Sequence, residues 1–138
     1  MDEKKQRAVH DKYLEFKMAH QEMQQLQQHL QKAEEQIAEI EYTQQSLQEL
    51  AEVASDTEIR VPVANGVFVK AKIQEPQKLL VNVGSDTCLE KPTEQVREML
   101  MQQVMQIAEI HEQMSHKMQD LMETLKKKEA ELNKLTGE

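Results

Sequence analysis

A seven-residue repeat of apolar side chains, unbroken by proline or glycine over residues 4–54, is the feature that most constrains this fold. Its a positions are Val9, Phe16, Met23, Leu30, Ile37, Gln44 and Ala51, and its d positions are Lys12, Ala19, Leu26, Ala33, Ile40, Leu47 and Ala54. Such a repeat is typical of a coiled coil. A helix of about 50 residues is roughly 75 Å long, more than a domain of this size can bury. The repeat therefore predicts a helix that packs along a second helix.

A second repeat occupies residues 93–135. Its a positions are Arg97, Val104, His111, Met118, Leu125 and Leu132, and its d positions are Leu100, Ile107, Met114, Leu121, Lys128 and Leu135. Pro92 precedes this helix and Thr93 is expected to cap it. We expect the two helices to pack antiparallel. Gln44 would then lie near Val104 and Phe16 near Leu132, with both chain ends together.

Residues 57–91 change to a period of two, which predicts strands. Ala64-Asn65-Gly66 is the expected first turn. A two-residue Asn-Gly loop would pair Val63 with Phe68. A three-residue loop would pair Val63 with Val67, Val61 with Val69, and Ile59 with Ala71. We favour the second register because it places the apolar residues on one face.

A second hairpin is predicted from Leu79–Val83, a turn at residues 84–86, and a short strand over Thr87–Glu90 whose register the sequence leaves open. Pro62 indicates either that the first strand is an edge strand or that Pro62 occupies a position that needs no ladder hydrogen bond. Isolated hairpins are marginal in water, so pairing with hairpins of other chains is expected. The fold class is α+β: one domain, residues 1–138, in which a long antiparallel coiled coil carries two central β-hairpins.

The composition narrows the range of functions. The net charge of −8 argues against nucleic acid and against anionic membrane surfaces as partners. The excess of Asp and Glu over Lys and Arg lies in residues 21–120. Residues 1–20 carry five Lys/Arg against four Asp/Glu, and residues 121–138 carry four of each. The N-terminus has no apolar signal region and no apolar run reaches membrane-spanning length. With only one cysteine, a reducing cytoplasmic location is expected.

Residues that could carry chemistry are scattered. The five histidines and Cys88 show no metal-ligand spacing, and no phosphate loop or nucleophile motif is present. We therefore predict no catalytic site, no metal and no cofactor. Seam packing at the a and d positions is the favoured role of Met23, Met114 and Met118. Met18 and Met122 lie off the repeat, so they fit a surface that accepts varied partners.

Two helices of equal length joined by tandem hairpins resemble the alpha class of prefoldin subunits, whose beta class has one hairpin. VPVANGVFVKAKI is similar to the family's first hairpin, and LLVNVGSDTCLEK is similar to its second. The departure is Ser85-Asp86-Thr87-Cys88, which is more polar than the family's run. The short ends resemble the archaeal type.

The resemblance implies an ATP-independent holding chaperone. Two alpha and four beta subunits would join through their hairpins into an oligomeric β-barrel platform, and the coiled-coil tips would hold non-native polypeptides and pass them to a group II chaperonin. The implied oligomerisation residues are Val61, Val63, Val67, Val69, Val81 and Val83. The implied client-binding residues are Val9, Tyr13, Phe16, Met18, Leu125, Leu132 and Leu135.

Two alternatives remain open at this stage. The chain could be a structural coiled-coil adaptor that binds one defined partner without general chaperone activity. It could also be a regulatory subunit of a transcription or remodelling complex, which would share the fold.

Overall fold

The computed structural model describes residues 2–137 and has the predicted α+β organisation of two long helices and two hairpins. The elements in chain order are α1 (Glu3–Ala51), β1 (Glu58–Ala64), β2 (Val67–Lys72), β3 (Lys78–Asn82), β4 (Cys88–Pro92) and α2 (Thr93–Thr136). The chain divides into two compact units, and each unit contains a part of both helices. The helical unit comprises Met1–Ile37 and Gln106–Glu138, and the hairpin unit comprises Ala38–Met105.

The two seven-residue repeats form the seam of the helix pair in each unit. Every predicted a and d position within α1 and α2 is buried or half-buried. Ala19, Leu26 and Ala33 are the buried residues of α1, and Leu125 is a buried residue of α2. Burial of alanine at two of these d positions means that the helices approach closely there, because a small side chain can be covered only by a near neighbour.

The helices are antiparallel, as predicted, and ion pairs cross between them in the helical unit. Lys12 Nζ lies 2.9 Å from Glu131 Oε2, Lys128 Nζ lies 2.9 Å from Glu15 Oε2, and Lys117 Nζ lies 3.6 Å from Glu22 Oε1. Residues early in α1 thus face residues late in α2.

The predicted register of the helix pair is wrong by one heptad. In the hairpin unit, Gln44 Nε2 donates to the Arg97 carbonyl at 3.1 Å, so Gln44 lies beside the a position that precedes Val104. In the helical unit, Glu15 pairs with Lys128, which sets Phe16 at the level of Leu125 rather than Leu132.

α1 ends before the predicted position. The sequence favoured a helix to residue 54, but α1 stops at Ala51. The amides of Glu52 and Val53 bond carbonyls three residues back, and Asp56 takes a positive φ of 65° while its amide bonds the Ile73 carbonyl at 2.7 Å. A tightened last turn followed by a left-handed residue ends a helix.

The first hairpin combines features of both predicted loops. Val61 pairs with Val69 and Ile59 with Ala71, as expected, but Ala64 pairs with Val67 and the register shifts between Pro62 and Ala64. The predicted pairing of Val63 with Val67 is therefore wrong. A tight Asn65-Gly66 turn closes the strands, Gly66 supplies a φ of 76°, and Val63 is the extra residue of a bulge.

The strands of the second hairpin have different bounds from those predicted: β3 lies slightly earlier in the chain and β4 slightly later. β3 ends at Asn82 rather than Val83, and β4 begins at Cys88 and continues to Pro92. Leu79 pairs with Lys91 and Val81 with Leu89, which settles the open register. The turn lies at residues 84–86, as predicted, and all three of these residues have positive φ.

Thr93 does not act as the expected cap of α2. It is buried, its amide donates to the Gln77 carbonyl at 3.0 Å, and its hydroxyl donates to the same carbonyl at 3.1 Å. The residue therefore ties the start of α2 to the loop between the hairpins.

Candidate functional site

The hairpins present apolar side chains to solvent in the single chain. Val61, Val63, Val67 and Val69 are all exposed, with 64% of Val63 accessible. The pairing of Val61 with Val69 and of Ile59 with Ala71 places these residues on one face of the first hairpin. Exposed apolar faces of this kind are common at sites of protein association.

The second hairpin has a matching apolar face. Val81 pairs with Leu89, and Leu79 lies two residues from Val81 on the same side. Val81 is half-buried, whereas Val83, outside the strand, is exposed. In the described part of the chain each hairpin is a separate two-stranded sheet, so both strands of each hairpin keep an unpaired edge.

Several exposed apolar residues of the hairpins were missed from the sequence. They are Phe68, Leu80 and Leu89. Phe68 pairs with Pro62 and Leu80 with Glu90, so each lies on the opposite face from the predicted valines of its hairpin. The sequence contains a signal for Phe68, because a large apolar residue stands between Val67 and Val69 where the alternation calls for a polar one. A period of two nevertheless assigns that position to the solvent-facing side of the strand, so Phe68 was not selected.

A second exposed apolar surface lies on the N-terminal part of α1. Tyr13 is 54% exposed and Met18 is 68% exposed. The exposure of Met18 agrees with its predicted place off the repeat. Leu14, which is not among the predicted client-binding residues, is 43% exposed in the same part of the helix. Leu14 and Met18 are four residues apart and therefore share a helix face. We call Tyr13, Leu14 and Met18 the α1 patch.

The other predicted client-binding residues lie in or near the seam. Val9, Phe16, Leu132 and Leu135 are half-buried, and Leu125 is 9% exposed. Phe16 stacks on His20 with ring centroids 6.3 Å apart. Packing accounts for these positions in the closed helix pair, and their contact with clients stays a prediction.

A small ionic network joins the helix ends beside this surface. Lys12 contacts Glu131 and also Glu15 at 3.8 Å, and Glu15 accepts a hydrogen bond from Lys128. The hydrogen bond to Glu131 raises the pKa of Lys12, with attraction to both carboxylates adding to it. The hydrogen bond from Lys128 lowers the pKa of Glu15, and the charges of Lys128 and Lys12 act in the same direction. A shallow cleft of about 290 Å³ is lined by Lys12, Glu131, Lys134 and Leu135.

The histidines and Cys88 lie in ordinary surroundings. His111 Nε2 lies 3.0 Å from Glu34 Oε1 across the seam, and Cys88 is exposed. Among residues 2–137 no three His, Cys, Asp or Glu side chains are arranged to hold a metal ion. Over that same stretch neither helix has the length and apolar character to cross a membrane.

Comparisons with known proteins agree on one family. The family model described as "Prefoldin subunit" matches residues 19–138. A protein of Thermofilum pendens named prefoldin subunit alpha is 34% identical over 62% of this chain and 67% of its own length. A protein of the same name from Methanococcus maripaludis is 28% identical over 64% of this chain and 59% of its own length.

A solved structure has the same fold. A chain of filamentous PFD from Methanocaldococcus jannaschii, determined by cryo-electron microscopy, superposes with a TM-score of 0.74. It is 16% identical, and the match covers 84% of this chain and 96% of that one.

Proposed function

Because the chain belongs to the prefoldin family, as an alpha-class subunit, we propose that it is one subunit of an ATP-independent holding chaperone. Its hairpins join those of beta-class subunits, in a complex of two alpha and four beta chains. Its helical unit holds non-native polypeptides until a group II chaperonin takes them. The complex acts in the cytoplasm and its activity requires no cofactor.

Exposed apolar surface on the hairpins is the observation that carries this proposal. Val61, Val67 and Val69 are accessible in the single chain, and both hairpins keep free edges. Two hairpins of one chain bury too little apolar area to stabilise themselves. Edge-to-edge pairing with hairpins of other subunits would cover the valines and satisfy the free backbone groups. Such pairing would build the β-barrel platform.

Client holding is supported by the α1 patch. An extended, non-native chain offers apolar side chains of varied shape, and a thioether and an aromatic ring can adapt to many of them. The distribution of charge also favours client binding near the two chain ends. Residues 1–20 and 121–138 are close to neutral, whereas residues 21–120 hold the excess of acid. Weak contacts from several subunits would add through multivalency.

The test of client holding is light scattering from an aggregating, chemically unfolded protein. We would compare the complex assembled with a beta-class partner against one whose chain carries Tyr13→Ser, Leu14→Ser and Met18→Ser. These positions are exposed, so the variant should fold and assemble. The matched control is Tyr42→Ser, which removes an exposed aromatic ring from the hairpin unit.

The proposal expects the wild-type and Tyr42→Ser complexes to suppress aggregation of unrelated clients, and the triple variant to do so less well. Equal suppression by all three would remove the α1 patch from the mechanism. If the assembled wild-type complex suppresses no aggregation, the chaperone proposal is wrong and an adaptor with one defined partner becomes the better explanation.

Assembly through the hairpins has its own test. Val69→Asp places a charge on the apolar face of the first hairpin, opposite Val61. The control is Lys70→Asp, which introduces the same carboxylate on the other face of the same strand. We expect Val69→Asp to dissociate the complex in a mass measurement and Lys70→Asp to leave its mass unchanged. An unchanged mass for both variants would mean that the valine face is not the interface.

A further inference from the structure

A ridge of four exposed side chains runs along the first turns of α2 in the hairpin unit. It consists of Glu94, Glu98, Met101 and Met105, spaced four, three and four residues apart, so that they share one helix face. Met101 is 59% exposed and Met105 is 66% exposed. Neither residue is an a or d position, so the seam does not use them. We call these four residues the acidic methionine ridge.

The two methionines differ from their surroundings. The other exposed positions in this stretch of α2 are glutamine or glutamate. One exposed apolar residue on a protein surface is ordinary. Two flexible thioether side chains one turn apart, at positions that packing leaves free, make an adaptable apolar contact of the kind that binds helices.

The charge around the ridge selects the partner. The α1 segment of this unit, residues 38–51, carries three glutamates and no lysine or arginine. The α2 segment, residues 93–105, carries Glu94, Glu98 and one cation, Arg97, whose Nη1 lies 3.4 Å from Glu94 Oε1. These two helix segments therefore keep an excess of negative charge even with that ion pair formed. The hairpins of the unit add cations, and one of them, Lys91, reaches α2 with its Nζ 3.7 Å from Met99 Sδ. An acidic partner would be repelled, whereas a basic one would be attracted.

We propose that the acidic methionine ridge binds a basic amphipathic helix of another protein. The ridge spans about 16 Å, which corresponds to roughly three turns of a partner helix. The partner presents two apolar residues one turn apart to Met101 and Met105, with lysine or arginine one and two turns further along for Glu98 and Glu94. This surface lies in the hairpin unit and the α1 patch lies in the helical unit, so the inference goes beyond client holding.

The contact area is small, so the complex is weak and transient. Its electrostatic part acts between exposed charges and is screened by salt. Binding should therefore fall as ionic strength rises, while the contribution of the methionines persists.

The experiment measures peptide binding to the full-length chain, alone and assembled with a prefoldin beta subunit, by fluorescence anisotropy. The probe is an 18-residue helical peptide with leucine at two positions one turn apart and lysine at the next two positions on that face. A second peptide replaces the lysines with glutamate. The protein variants are Met101→Gln with Met105→Gln, Glu94→Gln with Glu98→Gln, and Tyr42→Gln as the control for loss of exposed apolar surface elsewhere in the unit.

The proposal expects the basic peptide to bind and the acidic peptide not to bind. Each double variant should weaken binding by about fivefold or more, as loss of a central contact does, and Tyr42→Gln should leave binding unchanged. Three results would overturn the proposal: no binding of the basic peptide, binding that falls with the glutamates but not with the methionines, and a methionine variant whose assembled complex changes mass. The last result would mean that a neighbouring subunit covers the ridge.

Discussion

Replacing Leu26 by alanine tests the seam of the helical unit at its centre. Leu26 is a d position of α1 and is 8% exposed. The ion pairs Glu22–Lys117 and Glu34–His111 lie on either side of it and place Met114 at its level on α2. The substitution removes three buried carbons from this layer and leaves a void between the two helices.

The expected cost follows from this environment. Leu-to-Ala changes in protein cores cost about 2–5 kcal/mol, and the value depends on how far the neighbours relax. Met114 is flexible and can fill part of the void, so we expect about 2–3 kcal/mol. At an unfolding entropy of about 2.1 cal/mol/K per residue, a two-state transition of the whole chain would shift its Tm by roughly 7–10 °C.

The assay is thermal unfolding followed by circular dichroism at one fixed protein concentration, because association changes the apparent Tm. The matched control is Leu14→Ala, which removes the same side chain from the same helix at a position that is 43% exposed. We expect less than about 0.5 kcal/mol for this surface change. Equal shifts for the two variants would refute the placement of Leu26 in the seam.

Three further predictions follow from particular contacts. Gln44→Ala removes a partly buried hydrogen bond to the Arg97 carbonyl and should lower the free energy of unfolding, measured by urea titration, by about 1 kcal/mol. The control Gln45→Ala loses only an exposed hydrogen bond to Glu49 and should be nearly neutral in the same titration. Gly66→Ala forces alanine to a φ of 76° and should destabilise the first hairpin by about 1–2 kcal/mol, seen as faster amide exchange in β1 and β2; unchanged exchange would argue against this turn. The carboxyl of Glu15 should titrate below its ordinary pKa of 4.5 by NMR, and Lys128→Met should return it toward that value.

The sign of the Glu15 prediction follows from linkage. A carboxyl whose pKa is lower in the folded chain stabilises that chain above the ordinary pKa, and the contribution is lost as the pH falls through the lowered value. Lys12 behaves in the opposite sense at the alkaline end. Its raised pKa gives a contribution that is complete below 10.5 and is lost as the pH rises through the folded value. The side chains of Lys12 and Glu15 are 38% and 50% accessible, so water screens their charges and these effects on stability are small.

Much of the fold could be predicted because its signals are local. The a and d positions of both repeats lie in the seam, except Ala54, which is exposed beyond the end of α1. The turn at Gly66 and the pairing of Val61 with Val69 follow from the alternation around them. Periodicity of 3.5 or 2 fixes which face of an element is apolar, whatever the rest of the chain does. For the same reason Met18, which lies off the repeat, was predicted to belong to an accessible surface.

Periodicity leaves several registers equally possible, and only the tertiary structure shows which of them the chain adopts. A heptad repeat matches itself after a slip of seven residues, so it could not distinguish Val104 from Arg97 as the neighbour of Gln44. The hydrogen bond from Gln44 to the Arg97 carbonyl, across the two helices, identifies Arg97 as that neighbour. The end of α1 likewise involves a distant contact, since the bonds there include one from Asp56 to Ile73, a residue beyond the first hairpin. The bulge at Val63 has a similar origin, because the Asn65-Gly66 turn and the shared apolar face require registers that differ by one residue, and the extra residue reconciles them. Contacts between residues distant in sequence settled each of these points, and a repeating local pattern carries no record of such contacts.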